Sequence, residues 1–194
     1  MAIAVIADIH GDIRSLQEAV GLIRANNIDK VICLGDVLHT DADNDTVLTL
    51  LFDLGCVFII GNHDLEEIPK TQLIERYLDK AVNNVSNSKM HFTHYIERNK
   101  VTRVIESWQA WNIFDEYDWP LMFIGHNHIS SLFVYKEGMV ADCAKISPVG
   151  PFKLYPDRRY IVSTGSITPG RDYAKKRSFV IYDHDLRSIE FISF

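Results

Sequence analysis

The chain has 194 residues, enough for one domain with a real core, and is 47% hydrophobic and 24% charged, as soluble globular proteins are. Its formal net charge of −6 argues against a general nucleic-acid binder, which is normally basic. No apolar run approaches the roughly 18 residues of a membrane span. The apolar start, residues 1–7, lacks a basic flank and runs straight into Asp8, so it fits a buried strand better than a signal peptide. Cys33, Cys56 and Cys143 show no C-x-x-C spacing and read as reduced thiols, which sets a cytoplasmic location as the expectation.

Residues 2–7 form a continuous apolar run of the kind buried on both faces of a sheet. Leu16, Ala19, Val20 and Ile23 follow at helical spacing, and Asn26-Asn27 ends that helix. Val31-Ile32-Cys33-Leu34 is a second strand, closed by Gly35-Asp36. Val47, Leu48, Leu50, Leu51 and Leu54 mark a second helix with Gly55 as its stop, and a third strand runs over 56–60 into Gly61-Asn62-His63-Asp64. Three strand-then-helix units predict a parallel sheet with crossover helices.

Residues 66–80 read as helical, Asn83 to Ser88 as a polar turn, and Met90 to Thr93 as a strand ending at His94. Val101 to Trp111 reads as a helix, with Trp108 and Trp111 assigned to the core by their spacing. Leu121 to Ile124 is a strand followed by Gly125-His126-Asn127-His128. Beyond residue 130, short β runs (131–135, 138–143, 159–163, 178–183, 188–193) are separated by turns with no helix between them. The expected architecture is α/β: two packed sheets flanked by helices, in a single domain over residues 1–194.

The chemically capable residues fall at strand ends. Asp8 and His10 follow the first strand, Asp36 the second, and Asn62, His63 and Asp64 the third. His94 follows the strand at 90–93, ahead of His91, which falls inside it; His126 and His128 follow the strand at 121–124. Carboxyl ends of parallel strands lie along one edge, where open α/β folds bind ligands. Carboxylate, amide and imidazole ligands without a thiolate suit manganese, iron, zinc or nickel in a catalytic site better than a structural zinc. Asp8, His10, Asp36, Asn62, His94, His126 and His128 are too many ligands for one ion and suit two ions sharing a carboxylate. Two divalent ions against Asp8 and Asp36 leave the pocket locally positive and attractive to phosphate.

The series Asp8-Ile9-His10, Gly35-Asp36, Gly61-Asn62-His63-Asp64, a lone His94 and Gly125-His126-Asn127-His128 resembles the calcineurin-like metallophosphoesterases. Thr164-Gly165-Ser166 and Pro169-Gly170-Arg171-Asp172 resemble the closing turn of the family's small bacterial phosphodiesterases. The resemblance implies an α/β/β/α sandwich. It implies one metal on Asp8, His10, Asp36 and His128, and another on Asp36, Asn62, His94 and His126, with Asp36 as the bridge. It further implies a metal-bridging hydroxide as nucleophile, His63 as phosphate ligand and acid for the leaving alkoxide, and Asp64 as the residue that orients the His63 ring.

The function expected on this resemblance is binuclear metal-dependent hydrolysis of a small phosphodiester or nucleotide, with manganese the first choice of metal. A phosphomonoesterase, a protein phosphatase or a dinucleoside-polyphosphate hydrolase would use the same cluster, and a catalytically silent interaction scaffold could keep the fold. A small phosphorylated compound is the expected partner, with neither nucleic acid nor membrane. Tyr95 stands where the family commonly has glycine and would narrow the pocket, stack on a base or simply pack. His39 reads as an exposed loop residue, Asn127 as structural or a weak phosphate contact, and Arg171 as a phosphate contact or a surface salt bridge.

Overall fold

The first strand, β1 (Ala2–Ile6), shows how the layers are built, because its side chains alternate between two cores. Ala4 and Ile6 join a cluster with Leu16, Val20, Ile23, Val47, Leu51 and Tyr77, which come from helices. Val5 packs with Ile32, Phe92, Phe123, Val162 and Val180, which come from strands of both sheets. In the computed structural model, which describes residues 1–96, 103–138 and 143–194, this strand is therefore buried on both faces, as its unbroken apolar run requires.

From β1 the chain continues through α1 (Ile13–Ala25), β2 (Lys30–Cys33), α2 (Asn44–Asp53), β3 (Val57–Phe58), a 3₁₀ turn (His63–Leu65) and α3 (Gln72–Lys80). The second half holds β4 (Asn84–Ser86), β5 (Met90–Thr93), α4 (Ser107–Glu116), β6 (Leu121–Ile124), β7 (Ser130–Tyr135) and β8 (Cys143–Ile146). It ends with β9 (Phe152–Lys153), β10 (Arg159–Thr164), β11 (Ser178–Asp183) and β12 (Ser188–Ser193). One sheet has the order β3-β2-β1-β11-β12-β9 and the other β4-β5-β6-β10-β7-β8. Strands β1, β2 and β3 run parallel, as do β5, β6 and β10. Helices α1 to α3 cover the outer face of the first sheet, while Ala110, Ile113 and Phe114 of α4 cover the second against Met122, Ile124, Phe133 and Ile161. The result is the expected α/β/β/α sandwich.

Several local expectations need correction. Helix α3 begins at Gln72 rather than 66: Pro69 disfavours helix at the residue before it, and Thr71 Oγ1 accepts the Ile74 amide as an N-cap. Residues 84–86 are a strand rather than a turn, pairing antiparallel with β5. The turn is confined to the next residues, where Asn87 Oδ1 accepts from the amides of Lys89 and Met90. The fourth helix starts at Ser107, fixed by a reciprocal capping box between Glu106 and Gln109; positions 101–102 lie outside the described residues. Trp108 and Trp111 share a helix face as their spacing says, but it is the outer one, and they are 58% and 47% exposed. Of the run expected at 138–143, positions 139–142 lie outside the described residues, and β8 begins at Cys143. The late strands divide between the sheets: β7, β8 and β10 join the second and β9, β11 and β12 the first.

Candidate metal centre

The loops at the carboxyl ends of the parallel strands are tied to one another through their backbones. Asp8 N–H donates to Gly35 O, and the amides of Ile9 and His10 both donate to Asp36 O. Gly125 N–H donates to His94 O, and Ile167 and Thr168 donate to the carbonyls of Ala7 and Asp8. Ser166 Oγ also donates to Asp8 O, at 3.2 Å. The Thr-Gly-Ser segment thus holds the Asp8 backbone in place. Gly61 is required by close approach: a Cβ there would lie 2.2 Å from both the amide nitrogen and Oδ1 of Asp36.

Asp8, His10, Asp36, His126 and His128 all have positive φ, between 46° and 63°. This left-handed conformation is unusual for a residue with a Cβ, tolerated best by Asn, Asp and His, and costs about 1–3 kcal/mol at each position. Strain concentrated on five strand-end residues aims their side chains into a common space.

Each carboxylate has one oxygen fixed and one bare. Asp8 Oδ2 accepts the His126 amide at 2.9 Å, and Asp36 Oδ1 accepts the His63 amide at 2.9 Å. The other oxygens, Asp8 Oδ1 and Asp36 Oδ2, are buried without a hydrogen-bond partner among the described residues, as are Asn62 Oδ1 and His94 Nε2. Buried polar atoms are normally paired, so four orphans in one place call for a ligand. Ligand atoms of Asp8, His10, Asp36 and His128 lie within 4.8 Å of one another, and so do those of Asp36, His94 and His126. Asp36 belongs to both groups. A cation with bonds near 2.1 Å spreads its donors over roughly 3–4.4 Å, so both groups fit one ion each with little adjustment.

Electrostatics point the same way. His10 Nε2 and His128 Nε2 face each other at 3.2 Å, an approach that needs a proton or a cation between two lone pairs. His94 Nδ1 donates to Leu34 O at 2.8 Å, which turns Nε2 toward Asp36 Oδ2, 3.2 Å away but without hydrogen-bond alignment. Burial alone would raise the Asp36 carboxyl, yet His94, the His63 amide and His10 hold it down at about 2. Burial opposes protonation of His94 too, but Asp36 and Asp8 raise it above the ordinary histidine value, so the two carboxylates favour positive charge at this place. Burial and the neighbouring His94 depress His126 to about 4, which keeps that ring neutral and available as a ligand at physiological pH.

Two residues of the Gly-Asn-His-Asp turn part company. His63 lies at the mouth, its ring 38% exposed and 5.2 Å from the His10 ring. Asp64 does not orient it, contrary to the expectation from sequence. The Asp64 carboxylate points inward, where Oδ1 accepts from the amides of Val37 and Leu38 and Oδ2 from those of Asp36 and Gly61 and from the Tyr77 hydroxyl. The ring of His63 instead meets Glu66, with Nδ1 2.6 Å from Oε1.

Neighbouring candidates sort as follows. His91 stacks on Trp119 at 3.9 Å and pairs with Ser86, away from the His94 ligand position. Asn127 is spent on Val104 and Ser163 and is structural. His39 is exposed, and its backbone is held by Asn44. The Arg171 side chain is exposed, while its amide donates to His128 O and so supports that loop. Tyr95 sits beside the second ligand group, its ring 5.7 Å from His94 and 5.5 Å from His126.

A two-sheet sandwich with an Asp/His/Asn cluster at the carboxyl ends of its parallel strands defines a metal-dependent phosphoesterase architecture. The calcineurin-like phosphoesterase superfamily domain matches residues 1–186, and the chain belongs to that family. An uncharacterised protein from Methanocaldococcus jannaschii is 29% identical over 98% of this chain and 86% of its own length. The crystal structure of a metallophosphoesterase from Sphaerobacter thermophilus superposes with a TM-score of 0.82 at 20% identity, over 100% of this chain and 88% of that one. A novel archaeal phosphodiesterase superposes with a TM-score of 0.59 at 13% identity, over 100% of both chains. The family is one of phosphoester hydrolases that use divalent metals, and no helix among the described residues is long and apolar enough to cross a membrane.

Proposed function

We propose that the protein is a binuclear metal-dependent phosphodiesterase acting on a small phosphodiester or nucleotide. The observation that carries this reading is the set of four orphaned buried atoms, Asp8 Oδ1, Asp36 Oδ2, Asn62 Oδ1 and His94 Nε2, with Asp36 common to two ligand groups. Asp8, His10, Asp36 and His128 would hold one ion, and Asp36, Asn62, His94 and His126 the other. When bound, two such ions supply charge that neutralises phosphate oxygens and lowers the pKa of the attacking water.

The chain's own contribution is positioning and proton transfer. Backbone donors from His126 and His63 fix the two carboxylates before any ligand arrives, so little reorganisation is needed. With Nδ1 engaged by Glu66, His63 keeps Nε2 for the phosphate and for the proton delivered to the leaving alkoxide. Its place at the exposed mouth suits a small diester entering from solvent.

The test is hydrolysis of a chromogenic phosphodiester and its monoester counterpart by metal-stripped protein with Mn²⁺, Ni²⁺, Zn²⁺ or Mg²⁺ restored in turn. Metal-restored turnover favouring the diester is expected. A preference for the monoester would move the reading to a phosphatase, and no turnover in protein that binds two ions would move it to a silent scaffold.

Glu66 is expected to act as a positioning residue for His63. His63→Ala should slow hydrolysis of esters with poor leaving groups by about 10²-fold or more, and Glu66→Gln by a smaller factor of about 3–10. Neither should matter much for a nitrophenolate leaving group, which departs without a proton. Equal effects on good and poor leaving groups would remove both residues from proton transfer.

A further inference from the structure

At the opposite end of the sandwich, a cleft of about 360 Å³ opens between the two sheets. Its floor is set by strand register: Met90, Leu121 and Tyr160 are paired neighbours at the starts of β5, β6 and β10, and all three line it. The first sheet contributes Tyr182, which lies beside the start of β1 through the pairing of Ala2 with Asp183 and Ile3 with Tyr182. Asp8 follows the other end of β1, so the strand length alone separates cleft and candidate metal centre by roughly 16 Å.

The cleft is cationic and aromatic together. Lys89, Arg158 and Arg187 line it with His184, and no carboxylate does among the described residues. The acids next to these residues in sequence are engaged: Asp157 faces Lys136 at 3.1 Å, Asp183 Oδ1 caps its own hairpin by accepting from the amides of Asp185 and Leu186, and Asp185 pairs with the Met1 ammonium and lies 3.6 Å from His184 Nδ1. Among the described residues, Arg158 Nε is the fifth buried polar atom with no hydrogen-bond partner and the one outside the candidate metal centre. The Arg158 guanidinium lies over the Tyr155 ring, 5.0 Å from its centroid, and Tyr155 is 45% exposed. A buried guanidinium nitrogen without an acceptor, beside Lys89 and Arg187, for which no acid partner occurs among the described residues, and beside the half-exposed Tyr155 ring, is a site that lacks an anion and has one ring on which a flat group can pack.

We propose that this cleft is a second, non-catalytic site for a small organic anion with a planar ring, the chemistry of a nucleoside monophosphate. The cations would take the phosphate, and the half-exposed Tyr155 ring would take the base. The volume lies at the small end of ligand sites, which suits a single nucleotide. This inference stands independently of the reaction proposed above.

The test is calorimetric titration of the full-length, metal-loaded protein with AMP, ribose 5-phosphate and adenosine. AMP binding should weaken by about tenfold or more in Arg158→Gln and again in Lys89→Gln, while persisting in His126→Ala at the other end. Ribose 5-phosphate and adenosine should each bind at least about tenfold more weakly than AMP. An unchanged thermal midpoint in each cleft variant shows that the fold is intact. AMP binding that ignores both cleft variants, or that disappears only in His126→Ala, overturns the proposal. So does ribose 5-phosphate binding as tightly as AMP, because Tyr155 would then contribute nothing, and so does the absence of AMP binding at millimolar concentration.

Discussion

Asp36→Asn is expected to lower kcat/KM for a phosphodiester by about 10³-fold or more, equivalent to about 4 kcal/mol of transition-state stabilisation. The substitution is nearly isosteric, and its amide oxygen can still accept the His63 N–H that Oδ1 accepts now. What disappears is the bare oxygen Oδ2, which lies 3.7 Å from His10 Nε2 of the first ligand group and 3.2 Å from His94 Nε2 of the second, together with a negative charge that both groups share. One atom therefore weakens two sites at once. Asp8→Asn is the matched control, because Asp8 belongs to the first group alone and should spare the second. Near-normal kcat/KM in Asp36→Asn would show that the shared carboxylate is not central to the activity.

The second large effect is on stability. Asp64→Asn should destabilise the fold by about 3–5 kcal/mol, because one partner of a fully buried charged network is removed. Five donors converge on this carboxylate, and whichever way the new amide turns, its NH₂ faces at least two of them. Burial, the first cause of the raised Tyr77 pKa, persists in the variant, so Tyr77 keeps its proton and remains a donor. For a chain of this length the loss corresponds to a fall in Tm of roughly 10 °C. Tyr77→Phe removes one donor and should cost only about 1 kcal/mol. Calorimetric melting of the two variants checks the ordering, and a mild effect of Asp64→Asn would mean that Gly61 and residues 36–38 hold their positions unaided.

The strand ends were legible because a continuous apolar run leaves little doubt about a doubly buried strand, and its end marks where polar side chains emerge. Parallel order then places Asp8, Asp36 and Asn62 on one edge, and the second parallel set adds His94, His126 and His128. The roles inside the Gly-Asn-His-Asp turn were not legible from adjacency. Residues 63–65 form a 3₁₀ turn, where successive side chains diverge by about 120°, so His63 faces the mouth while Asp64 faces the core. The same geometry eclipses i and i+3, which brings Glu66 under His63, and that spacing was the available signal.

Helix periodicity placed Trp108 and Trp111 on one face without saying which face is buried, and Ala110, Ile113 and Phe114 decided it. The edge strands β4 and β9 are three and two residues long, too short to show alternation. The left-handed backbone at the five strand-end residues is also invisible in the sequence, since it is imposed by the packed loops against local preference.

The most direct test of the shared-carboxylate centre is the metal content of reloaded protein, measured by elemental analysis after stripping, Mn²⁺ restoration and removal of excess ion. Two ions per wild-type chain, falling below one in Asp36→Asn while the folded spectrum is retained, is the predicted result. One ion per chain in the wild type, or two in both proteins, would contradict a centre in which Asp36 serves both ions.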